Sequence, residues 1–254
     1  VGKNWASALR RPTWATSMAE DWSLGVEDLI MGPRIGKGRT AVIYRCIHKG
    51  STIAVKKLSG DKFRQQQAFE RELSVLSASR HENIVAVYEG LWSSGHLFLA
   101  LEFFGAGDLF HLIHVNEATL LNWQKLKMLS DIAEAMGYLH GQLQIIHRDL
   151  QSGNILLKHP LSAESLPHLK LSDFGSARRR PPSQDGKSPA MTKYAGSPNW
   201  TAPEVYRGLY DEKADIYSYA MVMFEILCLE VPFESEEPAQ ICAMTSQGLR
   251  PSWM

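Results

Sequence analysis

The chain has 254 residues, of which 27 are basic and 27 acidic, so its formal charge is zero and neither a nucleic acid nor another polyanion is indicated as a partner. That length suits one large domain or two lobes around a sizeable core. Cys46, Cys228 and Cys242 form neither a metal-spaced pair nor a disulfide framework, which fits a reducing, cytoplasmic setting.

Residues 1–28 carry Trp5, Trp14, Trp22 and Arg10-Arg11-Pro12 without a clear period and read as a leader or linker. No signal peptide is visible and the first residue is Val1, so the chain is expected to be part of a longer polypeptide, with membrane association through flanking regions left open. From Leu29 to about Leu101 short strand-like runs dominate: Val42-Ile43-Tyr44, Thr52-Ile53-Ala54-Val55 and Leu97 to Leu101. One helix is expected near Gln65 to Ala78, with Ala68, Phe69, Glu72, Val75 and Leu76 on one stripe. Glu72 is then a lone charge on an apolar face and needs a cation; Glu70, the competing carboxylate, lies off that stripe. Lys56 shares a strand face with Ala54 and is the candidate partner, whereas Lys57 points the other way.

Beyond about Asp108 helical patterns take over. One helix is expected near Trp123 to His140, with Leu126, Leu129, Ala133 and Met136 facing inward. The apolar run Ile216 to Leu229 is interrupted by Glu225, is too short to span a bilayer, and reads as a helix buried in the domain. Two stretches look like loops: the polar segment from His159 to Pro167, and Arg178 to Pro198, rich in Arg, Pro, Ser and Lys.

Five short strings carry chemistry, in order: Ile35-Gly36-Lys37-Gly38-Arg39-Thr40-Ala41-Val42-Ile43, Ile53-Ala54-Val55-Lys56, His147-Arg148-Asp149-Leu150-Gln151-Ser152-Gly153-Asn154, Asp173-Phe174-Gly175 and Ala202-Pro203-Glu204. Each alone is weak. Glycines let backbone N–H groups approach a phosphate closely, and the oxygen donors of Asn154 and Asp173 suit Mg²⁺. The ordered set resembles the protein kinase superfamily over about Leu29 to the last residue. Gly196 to Glu204, together with Trp22, resembles its tyrosine-kinase-like group of mostly Ser/Thr enzymes.

That resemblance implies an α+β bilobal fold, with a strand-rich lobe at about 29–101, a hinge at about 102–107 and a helical lobe at about 108–254. It implies ATP and Mg²⁺ as ligands and a protein as substrate. Asp149 would be the base, Lys56 the phosphate-binding lysine paired with Glu72, and Asn154 and Asp173 the metal ligands. Ile35, Gly36, Lys37, Gly38, Ala41, Ile43, Ala54, Leu101, Glu102, Phe104, Asp108 and Leu156 would surround the nucleotide. Leu101 would be the gatekeeper, Glu102 and Phe104 would meet the adenine, and Asp108 the ribose. His147 and Phe174 would stack with Leu76 and Val87, and Asp215 would brace the catalytic loop.

Arg148 beside Asp149 implies a switch by phosphorylation within residues 176–201, by an upstream kinase or by the chain itself. Thr192 is the favoured acceptor, then Ser188, with Ser183, Tyr194 and Ser197 as further candidates.

Two departures stand out. Gln151 occupies a position that is usually Lys in Ser/Thr kinases, so slower transfer is expected. With Ala41 in place of a third glycine, it raises the alternative of a nucleotide-binding pseudokinase scaffold. The chain also stops where such domains continue by roughly 40 residues. Glu204 is therefore expected to be a buried carboxylate without its arginine, at a cost of about 3–5 kcal/mol, lowering the melting temperature.

Overall fold

Strand β3 (Ser51–Leu58) holds the centre of a five-stranded sheet, and its residues 53–56 are all buried, Lys56 included. The structure, a computed structural model, describes residues 29–38, 41–59, 62–93, 96–180 and 196–252. Trp22, Arg39, Thr40, Ser183, Ser188, Thr192 and Tyr194 lie outside the described residues.

On one side of β3 lie β2 (Ala41–His48) and then the edge strand β1 (Ile30–Lys37). On the other lie β5 (His96–Glu102) and then β4 (Val87–Ser93), and every pairing is antiparallel. The register sets Ala54 opposite Leu101 and Lys56 opposite both Ile43 and Leu99. Two-residue alternation thus puts Ala54 and Lys56 on one face of β3. Helix α1 (Lys62–Ala78) covers the sheet with Phe69, Glu72, Val75 and Leu76, all buried. Its close approach depends on Gly90 of β4, where a Cβ would stand 2.7 Å from Phe69 Cζ and 2.8 Å from Leu73 Cδ2.

The second half is mainly helical: α2 (Asn122–Tyr138), α3 (Pro203–Arg207), α4 (Lys213–Cys228) and α5 (Pro238–Ser246). Short strands lie among them: β6 (Ile145–Ile146) pairs with β9 (Arg178–Arg179), and β7 (Ile155–Leu157) with β8 (Leu169–Leu171). Residue Leu157 is tied to the linker between the halves, its N–H donating to Gly107 O at 2.9 Å.

Helix α2 is rotated relative to expectation. Met128, Leu129, Ile132, Ala135 and Met136 face inward, while Leu126 is 66% exposed and Ala133 is also on the surface. The buried stripe admits two polar residues, Gln124 and Asp131, which hid it from a hydrophobicity pattern. Both are satisfied: Asp131 accepts the N–H of Leu169 at 2.8 Å and Gln124 donates to Ser162 O at 2.8 Å. Helix α4 is not buried all round either. Ser218, Met221, Val222, Phe224, Glu225 and Ile226 are covered, whereas Ile216 is 53% exposed. No described helix is long and apolar enough to cross a membrane.

One apolar cluster runs through both halves and includes Leu76, Val87, Leu109, Leu150 and Phe174. His147 meets Phe174 edge-on, with ring centroids 5.0 Å apart and the planes at 65°.

Candidate active site

Lys56 Nζ lies 2.7 Å from both carboxylate oxygens of Glu72 and 2.9 Å from Asp173 Oδ1. One ammonium thus joins β3, α1 and the turn after β8. Burial pulls the Lys56 pKa down, but the Glu72 and Asp173 carboxylates outweigh it and leave it raised. Burial pushes Glu72 up to about 7 despite Lys56. Burial also acts to raise Asp173, but Lys56 and the Gly175 N–H hold that carboxyl below its usual value. The Asp173 side chain is 39% exposed, so it opens onto the cleft while Glu72, at 1%, does not. Asp173 sits in the left-handed region at φ 59° and caps the turn Phe174–Ser176 by accepting the N–H of Gly175 at 3.3 Å. Glu70, off the buried stripe, accepts instead from Gln66 on the surface.

The segment from His147 to Asn154 is fastened from below. Asp215, at the start of α4 and 1% exposed, accepts the N–H of His147 and that of Arg148 at 2.8 Å each, and His140 Nε2 lies 2.8 Å from the same carboxylate. Asn154 donates its amide to Asp149 O at 2.8 Å, and its own carbonyl accepts Ser172 N at 2.8 Å, one residue before Asp173. Asp149, Asn154 and Asp173 are thereby held in one connected network. Asp149 Oδ1 accepts from Gln151 Nε2 at 3.2 Å and faces Ser197 Oγ at 3.4 Å. Gly196, at φ 90°, brings the following segment against this loop: a Cβ there would be 2.8 Å from Arg148 O and 3.6 Å from Asp149 Oδ1.

The residues assigned to the nucleotide fall on β1, β2, β3, β5, β7 and the linker between the halves. Gly36 pairs with Ile43, Ile35 is 47% exposed, and Lys37 pairs with Val42. Gly38 N donates to Ala41 O at 2.9 Å. Ala41 is 5% exposed and pairs with Leu58, so its methyl is packed in the lobe and offers the cleft little surface. Glu102 N is engaged with Ala86 O at 3.0 Å, and its side chain accepts from Lys170 Nζ at 2.7 Å. Phe104 is buried, and Lys170 lies over its ring at 6.0 Å from the centroid. Asp108 bridges to Leu156 and accepts the N–H of His111 at 2.8 Å.

Several participants escaped the sequence reading. Lys170, a buried cation within the run Leu169-Lys170-Leu171, ties the hinge to the second half through Glu102. Arg71 and Arg178 converge on Arg148. Burial first, and then Arg178 and Arg148, pull the Arg71 pKa down; Arg148 is lowered by burial and by Arg178, against the opposing effect of Tyr210. Arg71 donates to Gly175 O at 3.1 Å, and Arg148 to Ser176 O at 2.7 Å and to Tyr210 Oη at 3.2 Å. The available signal was position: Arg71 immediately precedes Glu72, and Arg178 follows the Asp173-Phe174-Gly175 turn. The expectation for Glu204 is corrected. It lies in the first turn of α3 and is only partly buried, so the penalty of a fully desolvated, unpaired carboxylate does not apply.

Comparison with known sequences agrees with this geometry. The family pattern described as "Protein kinase domain" matches residues 30–251. A probable serine/threonine-protein kinase of Dictyostelium discoideum is 31% identical over 98% of this chain and 26% of its own length. The probable serine/threonine-protein kinase drkB of the same organism is 31% identical over 93% of the chain and 33% of its own length. The serine/threonine-protein kinase STY17 of Arabidopsis thaliana is 29% identical over 93% of the chain and 40% of its length. The chain therefore spans less than half of each of these relatives.

Proposed function

The chain belongs to the protein kinase domain family, and on that premise we propose that it transfers the γ-phosphate of ATP to Ser or Thr hydroxyls of protein substrates. The observation that carries this reading is the single Lys56 ammonium held by Glu72 and Asp173, with Asn154 coupling Asp173 to Asp149. Little covalent chemistry is asked of the protein, so positioning and charge neutralisation account for most of the rate. Lys56, kept protonated by two carboxylates, binds phosphate oxygens. Glu72 fixes its direction. Asp149 orients the substrate hydroxyl and takes its proton. Asn154 and Asp173 offer oxygen donors of the kind Mg²⁺ accepts, and the bound ion would neutralise phosphate charge.

The glycines of the 35–43 segment support a close ligand. Among the described residues, a Cβ at Gly38 would meet Ala41 O at 3.8 Å, and one at Gly36 the Ile43 side chain at ordinary contact distance. No close contact among the described residues demands glycine there, whereas a phosphate lying against the backbone does. The scaffold alternative gains no support: Ala41 is packed away and Gln151 touches the proposed base directly.

The test is transfer from Mg·ATP to a mixed Ser, Thr and Tyr substrate. Label on Ser and Thr is expected; nucleotide binding without transfer would leave the scaffold. Gln151→Lys is expected to raise turnover severalfold, because an ammonium beside Asp149 adds one charge contact to the transferring phosphoryl group that a neutral amide lacks. Single-turnover rates decide this, and an unaltered rate would remove the explanation for slow transfer.

Regulation of this site is read from Arg71, Arg148 and Arg178, a group of like charges on three elements. A phosphoryl group on a residue within 176–201, placed by an upstream kinase or by the chain itself, would relieve their repulsion. Ser197 is the less suited acceptor, since it already faces Asp149. Mass spectrometry of the active native protein should find phosphate in this loop; a bare loop at full activity argues against the switch. The three free cysteines fit an intracellular, reducing setting.

A further inference from the structure

We propose that the outward face of α2 is a self-association surface, on which a second copy of this chain docks with its own α2 running antiparallel. The inward side of the helix carries Met128, Leu129, Ile132, Ala135 and Met136. On the opposite side lie Trp123, Leu126, Ser130, Ala133 and Gly137, all exposed, with Trp123 at 41% and Leu126 at 66%. They recur at alternating intervals of three and four residues, so they form one line along the helix. Single apolar residues on a surface need no explanation. The far side of a surface helix is ordinarily polar and charged, however, and this one carries an uncharged line that faces solvent. Its spacing is that of the seam between two packed helices.

The order of residues along the line selects the partner. The large side chains, Trp123 and Leu126, stand at its start, and the small residues, Ala133 and Gly137, at its end. Among the described residues a Cβ at Gly137 would meet nothing within 4 Å, so the surface there is open to an approaching side chain. An antiparallel second copy sets each large end over the small end of the other, and the two-fold axis makes the same fit twice. A parallel copy would instead set Trp123 against Trp123 and leave a gap at Gly137. Charge agrees with the antiparallel choice. Lys127 and Glu134 flank the line on the same side, one helical heptad apart. In the antiparallel pair Lys127 of one copy faces Glu134 of the other, whereas a parallel pair would bring like charges together. Lys127 already pairs with the buried Asp131, but an ammonium has further N–H donors to offer. Glu134 accepts from Ser130 Oγ at 2.9 Å through Oε1 alone. The line is about 20 Å long, short of a standard stable interface, so the dimer should be weak, with a dissociation constant of roughly 10–100 µM.

The experiment is sedimentation equilibrium of the whole chain from roughly 1 µM to 0.5 mM, a range that brackets such a constant. The mean mass should rise from that of one chain towards that of two. Leu126→Asp and Gly137→Leu should each weaken association by about tenfold or more, and Glu134→Lys by about threefold. Leu126→Gly and Gly137→Leu in one chain exchange the large and small ends and keep one glycine in the helix. Association should then return to within about threefold of the original. Circular dichroism of each variant controls for folding. The mass of a single chain at every concentration, a dimer that none of these changes weakens, or an exchange that fails to restore it overturns the proposal. A chain that stays monomeric but floats with phosphatidylcholine vesicles overturns it too, and assigns the face to a lipid surface.

Discussion

Asp149→Asn is expected to lower kcat by about 10²- to 10⁴-fold while leaving ATP affinity in place. The side chain is held 3.2 Å from Gln151 Nε2 and 3.4 Å from Ser197 Oγ, and its backbone carbonyl anchors Asn154. An amide of the same shape preserves that backbone anchor, and the Lys56 ion pairs run to Glu72 and Asp173, so the nucleotide-facing ion pairs survive. What is lost is the capacity to accept the hydroxyl proton. Rates under saturating ATP, set beside nucleotide binding measured by calorimetry, separate the two. A variant retaining even a third of wild-type turnover would mean that another group takes the proton.

Asp215→Ala should cost about 3–5 kcal/mol of stability, the range for leaving buried partners of a charge uncompensated. Its carboxylate is 1% exposed and accepts two backbone N–H groups from His147 and Arg148 as well as meeting His140. Those N–H groups have no water to turn to. The backbone at Arg148 is left-handed, with φ 70°, which is strained for a residue with a Cβ and persists only while it is held. At about 2–4 °C per kcal/mol for a chain of this size, the melting temperature should fall by roughly 10 °C. Transfer should fall as well, because Asp149 follows directly. A melting temperature within about 2 °C of wild type would show that Asp215 is not the brace.

The strands and the principal ion pair were legible because they follow local rules. Two-residue alternation placed Lys56 with Ala54, and a helical stripe isolated Glu72 as a charge in need of a cation. The orientation of α2 was not legible, since Asp131 and Gln124 satisfy their hydrogen bonds with groups about 40 residues away, and no local pattern reports that. Glu225 looked like an interruption of an apolar run; it is instead the acceptor for Ser152 and Trp200. Arg71 and Arg178 were invisible as a group because only the turn at Asp173–Ser176 brings β9 back towards α1. Motif spacing shows which side chains converge; how each is neutralised depends on contacts between distant segments.

Gly196 marks a mechanical boundary. Its backbone lies so close to the Arg148 carbonyl that the segment it opens and the segment bearing Asp149 leave no room for a Cβ between them. Any side chain at that position acts as a wedge between them. Even alanine at residue 196 would have to part these two segments, and with them the contact between Ser197 and Asp149.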